Sequence, residues 1–202
     1  MPQQPPAAAN ARIHQLYTRA EYEPCLALID DALRRANGAD EYPIYVKALT
    51  LRQQGRIAES LHLFQAATAL NPTNLANLKQ VGRSLYLLGR HRAAIDVYLE
   101  AQSIGVDDWE IWHNKGLCHL YLKNHDDAIA SLQRANEIER HDSTFLQLGK
   151  IHSLREDYEA AIDVYLEALE FSPENPELLP TIGLAYLRLG QSQKAFAHLG
   201  NS

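Results

Sequence analysis

Histidine, cysteine and carboxylate side chains are the groups in this chain that could bind a metal or carry out acid–base chemistry. The sequence has nine histidines, two cysteines and 25 acidic residues. It contains no HExxH sequence and no pair of closely spaced cysteines, so the common zinc-binding spacings are missing. Four of the histidines form two pairs whose members are about the same distance apart in the chain: His91 with His125, and His119 with His152.

Phosphate-binding and hydrolytic motifs are also missing from the sequence. There is no G-x-x-x-x-G-K-[ST] loop, and Gly149-Lys150 lies inside a predicted helix. No G-x-S-x-G elbow occurs. The acidic pairs Asp126-Asp127 and Glu156-Asp157 fall at predicted turns or helix starts, where carboxylates complement the helix dipole. We therefore predict that the chain is not an enzyme and binds no metal and no cofactor.

Small residues recur every 33 to 35 positions, and this period indicates which elements carry the side chains above. One column, predicted for the second helix of a repeat, contains Cys25, Ser60, Ala94, Ala128, Ala161 and Ala195. A second column, predicted for the first helix, contains Ala48, Gly82, Gly116, Gly149 and Gly183. A third follows the first at a fixed offset and contains Ala32, Ala67, Ala101, Ala135 and Ala168. Columns locked to one such period are typical of the two-helix repeats of the tetratricopeptide class.

The predicted fold is all-α, a right-handed tetratricopeptide-repeat superhelix (α-solenoid) of about six helix–turn–helix repeats. We predict a disordered tail over 1–8 and a solenoid over 9–202. The repeats are 6–40, 41–74, 75–108, 109–141, 142–175 and an incomplete 176–202, beyond which we expect more repeats. Equivalent residues of adjacent repeats should lie about 8–10 Å apart, too far to share one zinc ion. We therefore interpret His119 and His152 as hydrogen-bonded core residues.

Composition restricts the partners and the compartment. The formal net charge is −6, from 19 basic and 25 acidic residues, which disfavours nucleic acid and acidic membranes as partners. Cys25 and Cys118 replace small apolar residues of the repeat, so we predict buried thiols in a reducing compartment. No signal peptide and no apolar run of about 20 residues is present. The predicted location is therefore cytoplasmic.

The order of residues within the repeats resembles the Bardet–Biedl syndrome protein 4 family, the tetratricopeptide-repeat subunit of the BBSome. The segments that carry the resemblance are EYPIYVKAL (41–49), NLKQVGRSLYLLGRHRAAIDVY (77–98), DWEIWHNKGLCHLYLK (108–123), RHDSTFLQLGKIH (140–152) and FSPENPELLPTIGLAYLRLGQSQKAFAHLGN (171–201). The resemblance covers about 13–201. It implies a non-enzymatic scaffold subunit of a coat that carries ciliary membrane proteins. It also implies roles in cilium assembly and action at the cilium, basal body and centriolar satellites. The implied partners are other BBSome subunits, together with centriolar-satellite and dynein/dynactin-linked proteins.

The fold resemblance also implies that the first helix of each repeat lines a concave groove. The predicted partner-binding residues on that face are Tyr42, Tyr45, Arg52, Lys79, Arg83, Tyr86, His113, Tyr121, Lys150 and Arg188. In the second to sixth repeats, first-helix positions on this face hold five basic and two acidic residues, whereas the second helices hold eleven acids and five bases. We therefore expect an extended or helical partner segment with acidic and apolar residues. Tyrosine and arginine are also enriched at binding hot spots.

Three other interpretations remain open at this stage. The first-helix faces could be ordinary solvated surfaces, or the chain could be a structural spacer with no groove ligand. The chain could also be a generic tetratricopeptide adaptor or a co-chaperone that grips a C-terminal carboxylate. Of the five residues that such co-chaperones use, only Lys79 and Asn114 match, while Arg83, Ser143 and Gln147 differ.

Overall fold

The computed structural model describes residues 6–199, and all regular structure in this part of the chain is helical. Twelve helices are joined by short turns, and no strand occurs among the described residues. The chain divides between Val106 and Asp107 into two compact units. Within residues 6–199 no helix is both long enough and apolar enough to cross a lipid bilayer. The predicted all-α class is therefore confirmed.

Each unit consists of three helical pairs, in which consecutive helices contact each other. The first unit contains α1 (Pro6–Thr18), α2 (Tyr22–Arg35), α3 (Glu41–Gln53), α4 (Ile57–Leu70), α5 (Leu75–Leu87) and α6 (His91–Ser103). The second unit contains α7 (Trp109–Tyr121), α8 (His125–Ile138), α9 (Asp142–Leu154), α10 (Tyr158–Phe171), α11 (Leu178–Arg188) and α12 (Ser192–Leu199).

The tail predicted over 1–8 differs from the structure where the two overlap. Helix α1 begins at Pro6, so residues 6–8 are helical rather than disordered. Ala7, Ala8 and Ala9 follow this proline, and alanine has the highest helix propensity of all residues. The remainder of the predicted tail, 1–5, and the end of the sixth repeat, 200–202, lie outside the described residues. The division into six repeats remains our proposal.

A residue with left-handed backbone follows the first helix of every pair. Three of these residues are glycines, namely Gly55, Gly89 and Gly190, with φ of +78°, +72° and +74°. The other three have side chains and φ of +57°, +61° and +62°: Ala20, Lys123 and Glu156. The turn geometry therefore repeats even where the glycine does not.

Only some of the first helices begin with a side-chain cap. Asn74 accepts a backbone hydrogen bond of 3.0 Å at the start of α5. Asp108 accepts two, of 2.9 and 3.3 Å, at the start of α7. Asp40 occupies the N-cap position of α3 without a side-chain bond. Asp142 is the first helical residue of α9, because His141 takes the cap position. Of these four helix starts, only those of α5 and α7 therefore have a side-chain cap.

The glycine column allows close contact between the two helices of a pair. A methyl group on Gly149 would lie 2.3 Å from the ring of Tyr165, and one on Gly82 would lie 2.5 Å from the ring of Tyr98. No carbon atom can approach another this closely without displacing it. Tyr98 is fully buried and Tyr165 nearly so, so the ring fills the space that the glycine leaves. The glycine column therefore marks the positions where a large side chain of the second helix packs directly on the backbone of the first.

A partly buried polar cluster connects the start of α3 to the start of the next pair. The Glu41 carboxylate accepts hydrogen bonds from three asparagine amides: Asn71, Asn74 and Asn77. Burial alone would raise the pKa of Glu41, but the three hydrogen bonds outweigh it and lower the pKa. The carboxylate therefore stays ionised and links α3 to α5 within the first unit.

Both cysteines lie in the interior of their units. Cys25 and Cys118 have no exposed surface, and the Cys25 thiol donates to the carbonyl of Ile13 at 3.6 Å. Burial raises the pKa of both thiols, to about 12 for Cys118. The predicted buried thiols are confirmed.

Candidate partner-binding surface

The predicted partner-binding residues all lie on the first helix of a helical pair. In the first unit they are on α3 (Tyr42, Tyr45, Arg52) and α5 (Lys79, Arg83, Tyr86). In the second unit they are on α7 (His113, Tyr121), α9 (Lys150) and α11 (Arg188). Four of the ten are exposed: Arg83, Tyr121, Lys150 and Arg188. The other six are half-buried, so they contribute to packing as well as to the surface.

Arg52 is the most constrained of the ten. Its Nη2 donates a hydrogen bond of 2.5 Å to Oε1 of Gln80 on α5. Its Cζ lies 5.2 Å from the ring centroid of Phe64 on α4. The ring of Tyr45 contacts Phe64 edge-on, with centroids 5.6 Å apart. The guanidinium is therefore fixed by contacts from two neighbouring helices.

The charge of Arg52 is not balanced inside its unit. Its Nη1 is buried and has no hydrogen-bond partner among the described residues. Burial lowers the pKa of Arg52, and the positive charge of Arg83 lowers it further, while Tyr45, Tyr17 and Tyr98 act in the opposite direction. No carboxylate is among these groups. The surface thus carries two neighbouring cations, one of them half-buried.

The tyrosines of the first unit are partly structural. Tyr42 and Tyr45 pack against a buried cluster of Ile13, Leu16, Cys25, Ile29 and Val46. Burial raises the pKa of Tyr42. On α5, the ring of Tyr86 contacts His91 edge-on at 5.4 Å. All three tyrosines are half-buried, so only part of each side chain is available to a partner.

An open pocket of about 280 Å³ in the second unit is lined by residues of α9, α10 and α11. It is lined by Lys150, Ser153, Leu154, Tyr158, Tyr165, Thr181, Leu184, Ala185 and Arg188. Leu154 and Leu184 are 59% and 55% exposed, so both add apolar surface to the pocket. The structure therefore brings two predicted residues, Lys150 and Arg188, to one apolar pocket.

Both cations of this pocket lack protein partners. Within residues 6–199, neither Lys150 nor Arg188 takes part in an ion pair or a side-chain hydrogen bond, and no carboxylate lines the pocket. Two arginines elsewhere in the unit are paired: Arg134 with Asp107 at 2.6 Å, and Arg155 with Asp126 at 2.6 Å. The pocket thus combines exposed apolar surface with unpaired positive charge.

The sequence did not indicate that Tyr165 would line this pocket. Burial raises the pKa of Tyr165, and a hydrogen bond with Ser153 acts in the opposite direction. The available signal was Gly149, which precedes Lys150 and leaves room for the ring.

His113 lies in an aromatic cluster rather than on an open surface. Its Nδ1 is 2.9 Å from Oγ1 of Thr144, and its ring is edge-on to Trp109 at 5.9 Å. Trp109 stacks on His141, with ring centroids 3.6 Å apart. Burial, together with the charge of His141, lowers the pKa of His113 to about 4. His113 is therefore neutral near pH 7. The sequence had not indicated that Trp109 and His141 would pack around it.

The two histidines interpreted as hydrogen-bonded core residues are largely buried but lack the expected hydrogen bonds. The His119 and His152 side chains are 15% and 14% exposed. Their Nδ1 atoms are 3.8 Å from Asp127 and 3.6 Å from Asp157, longer than a hydrogen bond. No other hydrogen bond of either side chain occurs among the described residues, so the prediction that His119 and His152 are hydrogen-bonded is wrong. In residues 6–199 no three His, Cys, Asp or Glu side chains are grouped as a metal site would require.

One of the two residues shared with carboxylate-gripping co-chaperones is already engaged. The side-chain amide of Asn114 donates to the backbone carbonyl of Glu110 at 2.8 Å, within its own helix. This hydrogen bond occupies an amide N–H of Asn114 that would otherwise be available to a carboxylate ligand.

Comparison with known families agrees with the repeat period and the helical pairs. Family models described as tetratricopeptide repeat match residues 45–107 and 110–142, and one described as TPR repeat matches 149–190. The chain is a tetratricopeptide-repeat protein. The tetratricopeptide repeats account for the glycine and alanine columns in both units, and the predicted fold family is confirmed.

Among curated proteins, this tetratricopeptide-repeat chain is similar to BBSome complex member BBS4. It is 52% identical to the Bos taurus protein over 193 residues, which cover 96% of this chain and 37% of that protein. It is also 52% identical to the Mus musculus protein over 179 residues, which cover 89% of this chain and 34% of that protein. The chain thus spans about a third of the length of these relatives. The resemblance to the Bardet–Biedl syndrome protein 4 family is confirmed.

A solved structure shows the same tetratricopeptide-repeat architecture at lower identity. PilW, a type IV pilus biogenesis factor, aligns with a TM-score of 0.83 and 17% identity, covering 96% of this chain and 90% of that chain. At this identity the likeness is evidence for the fold alone.

Proposed function

We propose that this chain is a non-enzymatic protein–protein interaction scaffold and forms part of a BBSome subunit. The observation that carries the proposal is the 52% identity to BBSome complex member BBS4 over nearly the whole chain. The proposed partners are other BBSome subunits, in ciliary membrane-protein trafficking and cilium assembly. Centriolar-satellite and dynein/dynactin-linked proteins are further proposed partners. The proposed location is the cytoplasm, with the cilium, basal body and centriolar satellites. The centriolar-satellite and dynein/dynactin-linked partners and the proposed location rest on the resemblance alone.

The proposed binding surface is the first-helix face of each unit. Lys150 and Arg188 supply positive charge beside the exposed side chains of Leu154 and Leu184. A partner segment with acidic and apolar residues matches this combination. Removing the leucine surface from water drives association, and the two cations select the partner by charge. We propose that many such modest contacts, with tyrosine and arginine as anchors, together provide specificity.

The test is a charge reversal at exposed positions of the second unit. The double variant Lys150→Glu with Arg188→Glu should retain much less of the other BBSome subunits when the tagged chain is purified from ciliated cells. Both side chains are exposed and unpaired, so the melting temperature should change little.

The matched control is Arg92→Glu, an exposed arginine on the second helix of a pair. It should leave the co-purified subunits unchanged. Equal losses in both variants would show that the effect is not specific to the first-helix face. No co-purification with the unaltered chain would contradict the scaffold proposal.

A further inference from the structure

The pocket lined by residues of α9, α10 and α11, here named the α9–α11 pocket, combines apolar surface with positive charge that the chain does not neutralise. Leu154 and Leu184 are 59% and 55% exposed. Lys150 and Arg188 are exposed, and within residues 6–199 neither takes part in an ion pair or a side-chain hydrogen bond. An occupant from outside the chain therefore gains most from an apolar group together with negative charge.

An open pocket of the first unit contains a similar mixture of residues, but its cations are already paired. Lys47 donates to Asp30 at 2.7 Å, and Arg56 donates to Glu59 at 2.7 Å. All four of these side chains line that pocket, whereas no carboxylate lines the α9–α11 pocket. Unbalanced charge therefore distinguishes the α9–α11 pocket and makes it complementary to an acidic partner.

The repeat period fixes the relative levels of the residues on α9 and α11. Helix α10 packs against both helices and is joined to each by a short turn, so α9 and α11 run in the same direction. Gly149 and Gly183 are equivalent positions of the glycine column. Lys150 follows the first glycine and Leu184 follows the second, so these two residues lie across from each other.

The two cations consequently occupy opposite corners of the pocket. Leu154 lies one helical turn beyond Lys150 on α9, and Arg188 lies one turn beyond Leu184 on α11. With about 8–10 Å between packed helices and about 5.4 Å per turn, the cations are anchored about 10–11 Å apart. The apolar surface lies between them.

This spacing matches an extended segment with an acid on each side of an apolar residue. Side chains two positions apart point to the same face of an extended segment. Acids two positions before and two positions after an apolar residue are then about 13 Å apart, a difference that long lysine, arginine and glutamate side chains can close. One face of such a segment can contact both cations and both leucines.

An unused hydroxyl in the pocket wall favours an extended segment over a helix. A helix with acids seven positions apart spans a similar distance, about 10 Å, but its backbone groups are bonded internally. An extended segment leaves backbone carbonyls free. Tyr158 lines the pocket, and its hydroxyl has no hydrogen-bond partner within residues 6–199. This hydroxyl can donate to a carbonyl of an extended segment.

We propose that the α9–α11 pocket binds an extended partner segment in which one bulky apolar residue has an acidic residue two positions before it and another two positions after it. The apolar side chain enters the pocket of about 280 Å³, and the two acids pair with Lys150 and Arg188. This inference deepens the proposed scaffold function and rests on it, because it specifies the sequence pattern of the partner.

The experiment measures binding of fluorescent peptides to the purified full chain by anisotropy. The main probe is an N-acetylated, C-amidated peptide with the core Glu-Ser-Phe-Ser-Glu between glycine–serine flanks. Replacing phenylalanine with alanine should weaken binding about tenfold or more, and replacing both glutamates with glutamine about fivefold. A peptide of the same composition, with glutamates three positions before and four positions after phenylalanine, tests the helical spacing and should bind less tightly than the main probe.

A charge exchange tests the two cations. The double variant Lys150→Glu with Arg188→Glu should lose the preference for the glutamate probe and prefer a probe with the core Lys-Ser-Phe-Ser-Lys. A merely destabilised chain would not gain this new preference. Lys123→Glu is the matched control, because Lys123 is an exposed cation of the same unit that does not line the pocket. It should keep the glutamate preference.

A pair of leucine variants tests the apolar part of the pocket. Leu184→Ser should weaken binding of the main probe several-fold and reduce the difference between the phenylalanine and alanine probes. Leu187→Ser is its control, because Leu187 lies on the same helix, is 42% exposed and does not line the pocket. It should leave both values unchanged.

Several results would overturn the proposal. These are equal binding of the glutamate and glutamine probes, a glutamate preference that survives the charge exchange, or binding of the helically spaced probe as tight as that of the main probe. If the chain still retains BBSome subunits in these cases, only the recognition pattern is wrong and the scaffold function stands. If the unaltered chain retains none, the scaffold function itself is contradicted.

Discussion

At the scale of single residues, adding a methyl group to a glycine that packs against an aromatic ring should lower stability by a measurable amount. Gly149→Ala would place a methyl group 2.3 Å from the Tyr165 ring. Tyr165 lies in the closely packed interior of the α9–α10 pair and cannot move away freely. We expect the free energy of unfolding to fall by about 1–3 kcal/mol in chemical denaturation. Lys150→Ala, at the next and exposed position, should leave it within about 0.5 kcal/mol.

The buried imidazole of His113 makes the second unit sensitive to acid. Its pKa lies at about 4, below the ordinary value of 6.5, because burial and His141 disfavour its charged form. The unfolded chain therefore binds a proton that the folded chain does not, between about pH 6.5 and pH 4. Stability from this group is complete above the unfolded pKa and is lost as the pH falls through this range.

The variant His113→Gln isolates this contribution. Glutamine does not titrate and can still reach the Thr144 hydroxyl. Between pH 7.5 and pH 4, the wild-type chain should lose on the order of 2–3 kcal/mol more than the variant. Parallel unfolding free energies for the two chains over this pH range would contradict the assignment.

At the scale of helices and turns, the left-handed position after each first helix is strained where the residue has a side chain and relaxed where it is glycine. Lys123 and Glu156 adopt φ of +61° and +62°, where a Cβ costs energy that glycine avoids. Lys123→Gly should raise the free energy of unfolding by up to about 1 kcal/mol, measured by urea titration. The same substitution inside a helix, Lys150→Gly, should lower it by about 1 kcal/mol. A loss at both positions would contradict the strain at Lys123.

Helix positions were predictable from the sequence because one period sets several independent signals. The glycine column, the turn glycines and the alanine columns all mark the same helical pairs, so errors in one are corrected by the others. Burial on the first-helix face was less predictable. Whether Arg52 is exposed depends on Phe64 and Gln80, which reach it from two other helices. The pattern of α3 alone carries no information about these neighbours.

At the scale of the whole chain, stability should be local, because helices contact mainly their neighbours in sequence. Gly183→Ala would place a methyl group 2.6 Å from Leu199, in the α11–α12 pair. Hydrogen exchange should show reduced amide protection in these two helices and nearly unchanged protection in α7 and α8. Gly116→Ala, which meets Leu132 at 2.8 Å, should give the reverse pattern. Uniform loss of protection from either substitution would indicate one cooperative unit.

Because both sulfur atoms are buried, neither cysteine of the described chain should react readily with thiol reagents. Only the thiolate reacts at a useful rate, and both Cys25 and Cys118 are enclosed and hard to deprotonate. A cysteine introduced at an exposed position, such as Arg83→Cys or Arg188→Cys, should therefore be modified selectively by maleimide dyes. Donor and acceptor fluorophores can be attached in a native background, without first replacing either original cysteine.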